Sequence, residues 1–196
     1  MNLLQQLRQL LADFPHPWAL CGGYALEAFA GKVIRPHGDI DVCLPEESRS
    51  AVIAHLLDKG WLIYEYRGMG RVKPLRSPAD SEPGRNLMAL LPDCPLVEFF
   101  PCEEEGLLYH RFHPRGMTDL IFLDLLFSAE MPRLIRISGL PVIAPETALM
   151  YKAASPAEPS AQADYAAVYP LLDDEQKAHL RAALDAHYPS GHPWNQ

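Results

Sequence analysis

WALCGGYALEAFAGKVIRPHGDIDVCL, residues 18–44, decides the fold. Residues 18–21 read as a short buried strand and Gly22-Gly23 as a tight turn. Residues 24–30 read as a helix closed by Gly31, and a basic loop with Lys32, Arg35 and His37 leads into a second strand. That strand carries Asp39 and Asp41 at alternate positions. Residues i and i+2 of a strand share a face, so the two carboxylates point one way while Ile40 and Val42 point to the core. Like charges held that close are unfavourable without a cation between them, and an oxygen-only donor set favours a hard ion such as Mg²⁺. Glycines before a helix leave backbone N–H groups open to an anion, so Gly22-Gly23 is a candidate phosphate seat.

Outward from this stretch, the 196 residues suffice for one full core, or for a core with a small appendage. With 48% hydrophobic and 21% charged residues, the chain reads as globular, and its apolar runs are too short for a membrane span. The first residues, MNLLQQLRQLLADF, place Leu3, Leu4, Leu7, Leu10 and Leu11 at helical spacing and show no signal-peptide pattern. They predict an amphipathic first helix and a cytoplasmic protein. Cys21, Cys43, Cys94 and Cys102 lack metal-type spacing and read as reduced core thiols. A net charge of −8 argues against a nucleic-acid footprint and suits a cationic small molecule.

Beyond the aspartate strand, residues 45–59 predict a helix with Val52, Ile53, Leu56 and Leu57 on its apolar side, followed by a strand at 61–66. Residues 67–85 carry Arg67, Arg71, Lys73, Arg76 and Arg85 among glycines and prolines, and predict a solvated hairpin or loop. Strands are expected at 86–91, 96–100 and 107–112, with a turn at 92–95 and a charged turn at 103–106. Glu98 lies within the apolar run LVEFF, where an unpartnered charge is costly, so it is the first choice for a third metal carboxylate. Asp124, within LIFLDLLF, is its rival on the same ground. His110 and His113 fall on opposite faces of a strand and are not a metal pair. RLIRISGLPVIAP predicts a hairpin turning at Ser138-Gly139, and Ala- and Leu-rich helices follow from Pro145, with Lys152 and Asp164 among them.

These residues, GG, a helix, R-x-H, D-x-D, a later strand carboxylate and a helical C-terminal part, resemble the nucleotidyltransferase superfamily of DNA polymerase β type. They are most similar to the aminoglycoside and lincosamide nucleotidyltransferases and their uncharacterised bacterial relatives. The resemblance runs through PLVEFF, GLPVIAPETALMYKA and ADYAAVYPLLDDEQKAHLRAAL to GHPW. It implies an α+β fold: a mixed-sheet core over residues 1–144 with flanking helices, and a helical region over 145–196 packed on it. It implies that Asp39, Asp41 and Glu98 hold catalytic Mg²⁺, that Gly22 and Gly23 line nucleotide phosphates, and that Arg35, His37, Lys152 and Asp164 belong to the nucleotide site. The implied reaction is transfer of a nucleoside monophosphate, AMP from ATP, to a hydroxyl of a small acceptor such as an antibiotic. The alternative is an inactive module of the same fold that binds a nucleotide or a protein. Relatives often carry Lys and Arg after the counterpart of Lys152, whereas ASPAEPSAQAD has none, and Glu98 stands where Asp is frequent.

Overall fold

The computed structural model describes residues 3–92, 97–103, 106–111 and 122–195. Cys94, His113 and parts of the expected turns at 92–95 and 103–106 lie outside them. In chain order the elements are helix α1 (Leu3–Leu10), strand β1 (Ala19–Leu20), helix α2 (Gly22–Ala30), strand β2 (Ile40–Pro45) and helix α3 (Arg49–Asp58). Strands β3 (Leu62–Gly68), β4 (Arg71–Leu75), β5 (Leu87–Leu90), β6 (Val97–Pro101), β7 (Leu107–Arg111) and β8 (Phe122–Ser128) follow. Strands β9 (Leu134–Ile137) and β10 (Leu140–Ile143), then helices α4 (Pro145–Lys152), α5 (Pro159–Val168) and α6 (Asp174–His187), complete the chain. The fold class is α+β, as the sequence predicts.

Two compact units share these elements. One comprises Met1–Trp18 and Gly38–Met131, the other Ala19–His37 and Pro132–Gln196. The division therefore falls at 18, 37 and 131 rather than at the expected 144. Pairing explains the difference: β1 lies parallel to β10, Leu20 opposite Val142, so the glycine-bearing stretch joins the C-terminal helices.

In the first unit the strands run in the order β6-β7-β4-β3-β5-β8-β2. Pairing is antiparallel except between β8 and β2, which are parallel. Val52, Ile53 and Leu56 of α3 are fully buried. Each contributes roughly 1.5–3 kcal/mol to the core. The His55 ring bonds the Leu10 carbonyl at 2.8 Å and so serves the last carbonyl of α1, while Leu11 N–H and Ala12 N–H donate to the Leu7 and Gln9 carbonyls. The first part of the basic segment, to Leu75, belongs to the β3–β4 hairpin. Arg67 lies 2.9 Å from both Glu65 and Glu82, Lys73 bonds the Asp80 carbonyl at 2.9 Å, and Arg85 lies 3.1 Å from Glu82.

In the second unit β9 and β10 form the expected hairpin. Its turn residues Ser138 and Gly139 both have positive φ, 50° and 80°, the backbone that a type I′ turn needs to match strand twist. α6 begins with a capping box, Gln176 N–H donating to Asp173 at 2.8 Å and Asp173 N–H donating to Gln176 Oε1 at 3.0 Å. The GHPW stretch is docked: Trp194 is buried and stacks on Tyr165 at 4.4 Å, while His192 Nε2 lies 2.9 Å from the Ala153 carbonyl. Cys21 and Cys43 are buried, and burial pushes the Cys43 thiol up. Cys102 is half-buried.

Candidate active site

Asp39 immediately precedes β2 and Asp41 lies within it. Both are half-buried, while Ile40 and Val42 between and beyond them are buried, which is the alternation the sequence predicts. On the neighbouring strand, Asp124 is the register partner of Asp41. Partners on adjacent strands share a face, so β2 and β8 present two carboxylates side by side. Asp124 is 8% exposed and accepts a short hydrogen bond from the Tyr66 hydroxyl.

The same register carries across the sheet. Asp124 pairs with Met88, and Met88 with Tyr64. Tyr64 stacks on Phe99 at 4.4 Å and Tyr66 lies tilted against Tyr109 at 5.7 Å. An aromatic floor thus continues from the carboxylates along one face.

Glu98 is not brought to this place. It is exposed on β6, at the edge of this strand run, with β7, β4, β3, β5 and β8 between it and β2. Six strand spacings amount to about 29 Å along the sheet. The third strand carboxylate beside Asp39 and Asp41 is therefore Asp124. LVEFF and LIFLDLLF are equally apolar, but β6 is an edge strand with its Glu facing solvent, so the expected burial penalty at Glu98 does not arise. Among the described residues no group of three His, Cys, Asp or Glu side chains is already gathered as a metal cluster. The donors on β2 and β8 fit a hard cation in chemistry, being carboxylate oxygens on a common face.

The other singled-out residues lie in the second unit. Gly22 starts α2 with φ 62°, so the glycine pair opens the helix instead of preceding it. A Cβ on Gly23 would come within 2.1 Å of the His37 ring and 2.8 Å of the Arg35 guanidinium. The space a side chain would fill is used by these two residues. His37 also lies against the Tyr24 ring, centroids 4.3 Å apart, and its Nε2 sits 2.9 Å from Glu27 Oε1 without well-aligned hydrogen-bond geometry. Glu27 Oε1 accepts from the Ile34 and Arg35 backbone N–H groups at 2.7 and 3.2 Å. Burial raises the Glu27 carboxyl, but the Ile34 N–H, the His37 ring and the Arg35 N–H together hold it below its ordinary value.

Arg35 reaches from this loop to α5. Its Nε and Nη2 donate to the two oxygens of Asp164 at 2.9 and 2.8 Å, a bidentate pair on a carboxylate that is fully buried. Lys152 Nζ stands 4.0 Å from the same carboxylate. Arg35 is thus brought into one cluster with Lys152 and Asp164, each more than a hundred positions further on, and Glu27 with His37 adjoins it through Arg35. Sequence reasoning missed Glu27 and Tyr66. Glu27 is the only acid in an otherwise apolar helix, and that isolation was the available signal.

A family model described as aminoglycoside-2''-adenylyltransferase matches residues 3–75. Curated proteins include no match. The solution structure of the antibiotic-resistance factor ANT(2'')-Ia is similar, with a TM-score of 0.53 and 18% identity over 96% of this chain and 92% of that one. Its crystal structure in complex with adenylyl-2''-tobramycin gives 0.51 and 19%, covering 95% of this chain and 97% of that one. The lincosamide antibiotic adenylyltransferase LnuA, lincomycin-bound, gives 0.48 and 17%, covering 86% and 96%. At this identity the first two establish fold. The chain therefore has the fold of the nucleotidyltransferase superfamily and, over residues 3–75, is similar to the aminoglycoside-2''-adenylyltransferase family.

Proposed function

We propose that the protein is a Mg²⁺-dependent nucleotidyltransferase that moves a nucleoside monophosphate, AMP from ATP, onto a hydroxyl of a small molecule of the aminoglycoside or lincosamide kind. One observation carries this reading: Asp41 and Asp124 are register partners on parallel strands, with Asp39 two residues before Asp41 on the same side. Holding like charges together is unfavourable in a structural role and useful around a cation. Mg²⁺ bound there would neutralise charge on the reacting phosphate and the leaving pyrophosphate of an in-line displacement.

The chain's own groups have distinct tasks in this scheme. Asp39 and Asp41 would hold the ion. Asp124 completes the donor set and accepts the proton of the acceptor hydroxyl, its carboxylate turned by the Tyr66 hydroxyl. Gly22, Gly23, Arg35, His37 and Lys152 bind the nucleotide, with Asp164 holding Arg35 and Lys152 in place. The similarity of residues 3–75 to an aminoglycoside-modifying family and the acidic balance of the chain, −8, support a cationic acceptor.

A second reading, a module that binds nucleotide without transferring it, is favoured by one feature. The segment ASPAEPSAQAD after Lys152 carries no Lys or Arg to meet a leaving pyrophosphate. Incubation with labelled ATP or GTP, Mg²⁺ and a panel of hydroxylated antibiotics and metabolites separates the two. Pyrophosphate release with a nucleotidylated product, lost in Asp41→Asn, supports transfer. Mg²⁺-dependent nucleotide binding without product, whichever acceptor is offered, supports the module.

A further inference from the structure

We propose that Tyr66 and Tyr109 form an aromatic platform beside Asp124 that holds the hydroxyl acceptor, and that this acceptor is a ring polyol with a hydrocarbon face, of the deoxy or alkylated sugar class. The inference rests on the transfer reading, because it takes Asp124 as the group that receives the acceptor's proton. In that step the acceptor oxygen bonds to the α-phosphorus, the bond from phosphorus to pyrophosphate breaks, and the proton passes to Asp124. The platform lies wholly within the first unit.

Strand register places the rings. Asp124 pairs with Met88 and Met88 with Tyr64, and Tyr66, two residues on, shares the Tyr64 face. Tyr66 pairs with Val72, Val72 with Leu107, and Tyr109, two residues beyond Leu107, with Phe99. Tyr64, Val72, Met88 and Phe122 form a buried layer, and Tyr66 and Tyr109 lie half-buried against it. Rings that cover a closed apolar layer and stay partly exposed themselves leave aromatic surface for a molecule outside the fold. The Tyr66 hydroxyl ties that surface to the Asp124 carboxylate.

Charge is kept off this surface. Glu65 and Lys73 alternate to the opposite face of β3 and β4, where they are register partners, and Arg67 turns to Glu65 and Glu82. Among the described residues, none of those on β5, β3 and β4 that share the Asp124 face is charged. Small-molecule sites combine such an apolar surface with a few placed polar groups, here the carboxylates and the Tyr66 hydroxyl. The net charge of −8 acts at longer range and draws cations toward the chain, whereas the contact surface rewards C–H groups. A ring polyol meets both demands of the site, with one hydroxyl for Asp124 and a hydrocarbon face for the tyrosines.

The test uses the full chain in saturating Mg²⁺ and follows the ring resonances of Tyr66 and Tyr109 during titration. The probes are methyl glucoside, its deoxy analogue lacking the primary hydroxyl, and its amino analogue with an ammonium in that place. Tyrosine rings also attract a single cation, so the amine is the discriminating probe. Saturable shifts are expected, tightest for the deoxy compound and about tenfold weaker for the amine. Tyr109→Leu, which keeps apolar volume without a ring, should weaken the deoxy compound about fivefold, and Tyr109→Phe should hold it within about twofold. An amine that binds as tightly as the deoxy compound, an unchanged affinity in Tyr109→Leu, or shifts that never saturate with any probe overturn the proposal. Should Tyr109→Leu fail to fold, the order of the three probes on the unaltered protein decides the matter. Pyrophosphate release is measured separately. Its absence with every acceptor, beside binding that depends on the Tyr109 ring, removes the transfer reading and keeps the platform. Transfer whose acceptor KM is the same in Tyr109→Leu removes the platform and keeps the transfer reading.

Discussion

The carboxylates that β2 and β8 bring together live under a different rule from the buried acids of the second unit. In the second unit each buried acid faces a cation or a row of N–H donors: Asp164 holds Arg35 bidentately, Glu146 holds Arg133, and Glu27 collects backbone N–H groups and a histidine. In the first unit Asp41 and Asp124 face each other, and the hydroxyl on Asp124 belongs to a neutral tyrosine. Paired acids are an architectural device, because removing one partner strands the other charge. Juxtaposed acids are a liability for folding that becomes an asset when a cation arrives. The difference separates acids that hold the fold from acids that do chemistry.

Substitutions can break that separation, and the largest effect is expected in the first unit. Asp41→Asn should lower nucleotidyl transfer by at least about 10³-fold while the melting temperature stays level or rises, because a like-charge neighbour is gone. Glu98→Gln should change the rate less than about threefold, as its strand lies at the far edge of the run. Initial rates of pyrophosphate release, with thermal melts in parallel, check both. A tenfold loss in Glu98→Gln would return the third carboxylate to β6. In the second unit the order reverses: Asp164→Ala should cost about 3 kcal/mol in urea unfolding, because Arg35 then keeps a partly buried charge without its partner. A stability loss under about 1 kcal/mol would place Asp164 among the exchangeable surface acids instead.

Tyr66 offers a sharper version of the same contrast. Tyr66→Phe removes one hydroxyl from Asp124 and leaves the aromatic contact with Tyr109. If the hydroxyl orients the carboxylate for proton acceptance, kcat should fall about tenfold with KM nearly unchanged and stability reduced by about 1 kcal/mol. An unchanged kcat with the same stability loss would make the bond structural only.

The sequence made the local features legible and left the distant ones open. Ser138-Gly139 announced a hairpin because two-residue loops between strands favour turn residues that accept positive φ. Gly31 announced a helix end, and its φ of 67° bears this out. Alternation at residues 39–42 located the acidic pair. Choosing between Glu98 and Asp124 required strand order, and the neighbour of β2 is β8, some eighty residues further on. An apolar flank signals that a carboxylate lies in a strand, but an edge strand and an inner strand share that signal. Burial of Asp164 was equally hidden, since its partner Arg35 lies 129 positions away in a loop. The glycine pair was read as bare backbone awaiting an anion, and folding brings His37 and Arg35 onto it.

The smallest effect expected, and the one that titrates, belongs to Glu27. Its carboxyl is held below the ordinary value of 4.5 in the folded chain, so the unfolded chain binds the proton more readily. The contribution of Glu27 to stability is therefore complete above the unfolded value and is lost as pH falls through the lower, folded value. Urea unfolding of the unaltered protein should show a falling acid limb over that range, and Glu27→Gln should flatten it while costing little at neutral pH. The variant keeps an acceptor for the Ile34 and Arg35 N–H groups, so what disappears is the charge alone. An acid limb of equal slope in Glu27→Gln would assign the dependence to other carboxylates. A flattened limb together with weakened ATP binding would show that the loop carrying Arg35 and His37 is set for nucleotide by an acid, and that the second unit's paired carboxylates serve the chemistry indirectly.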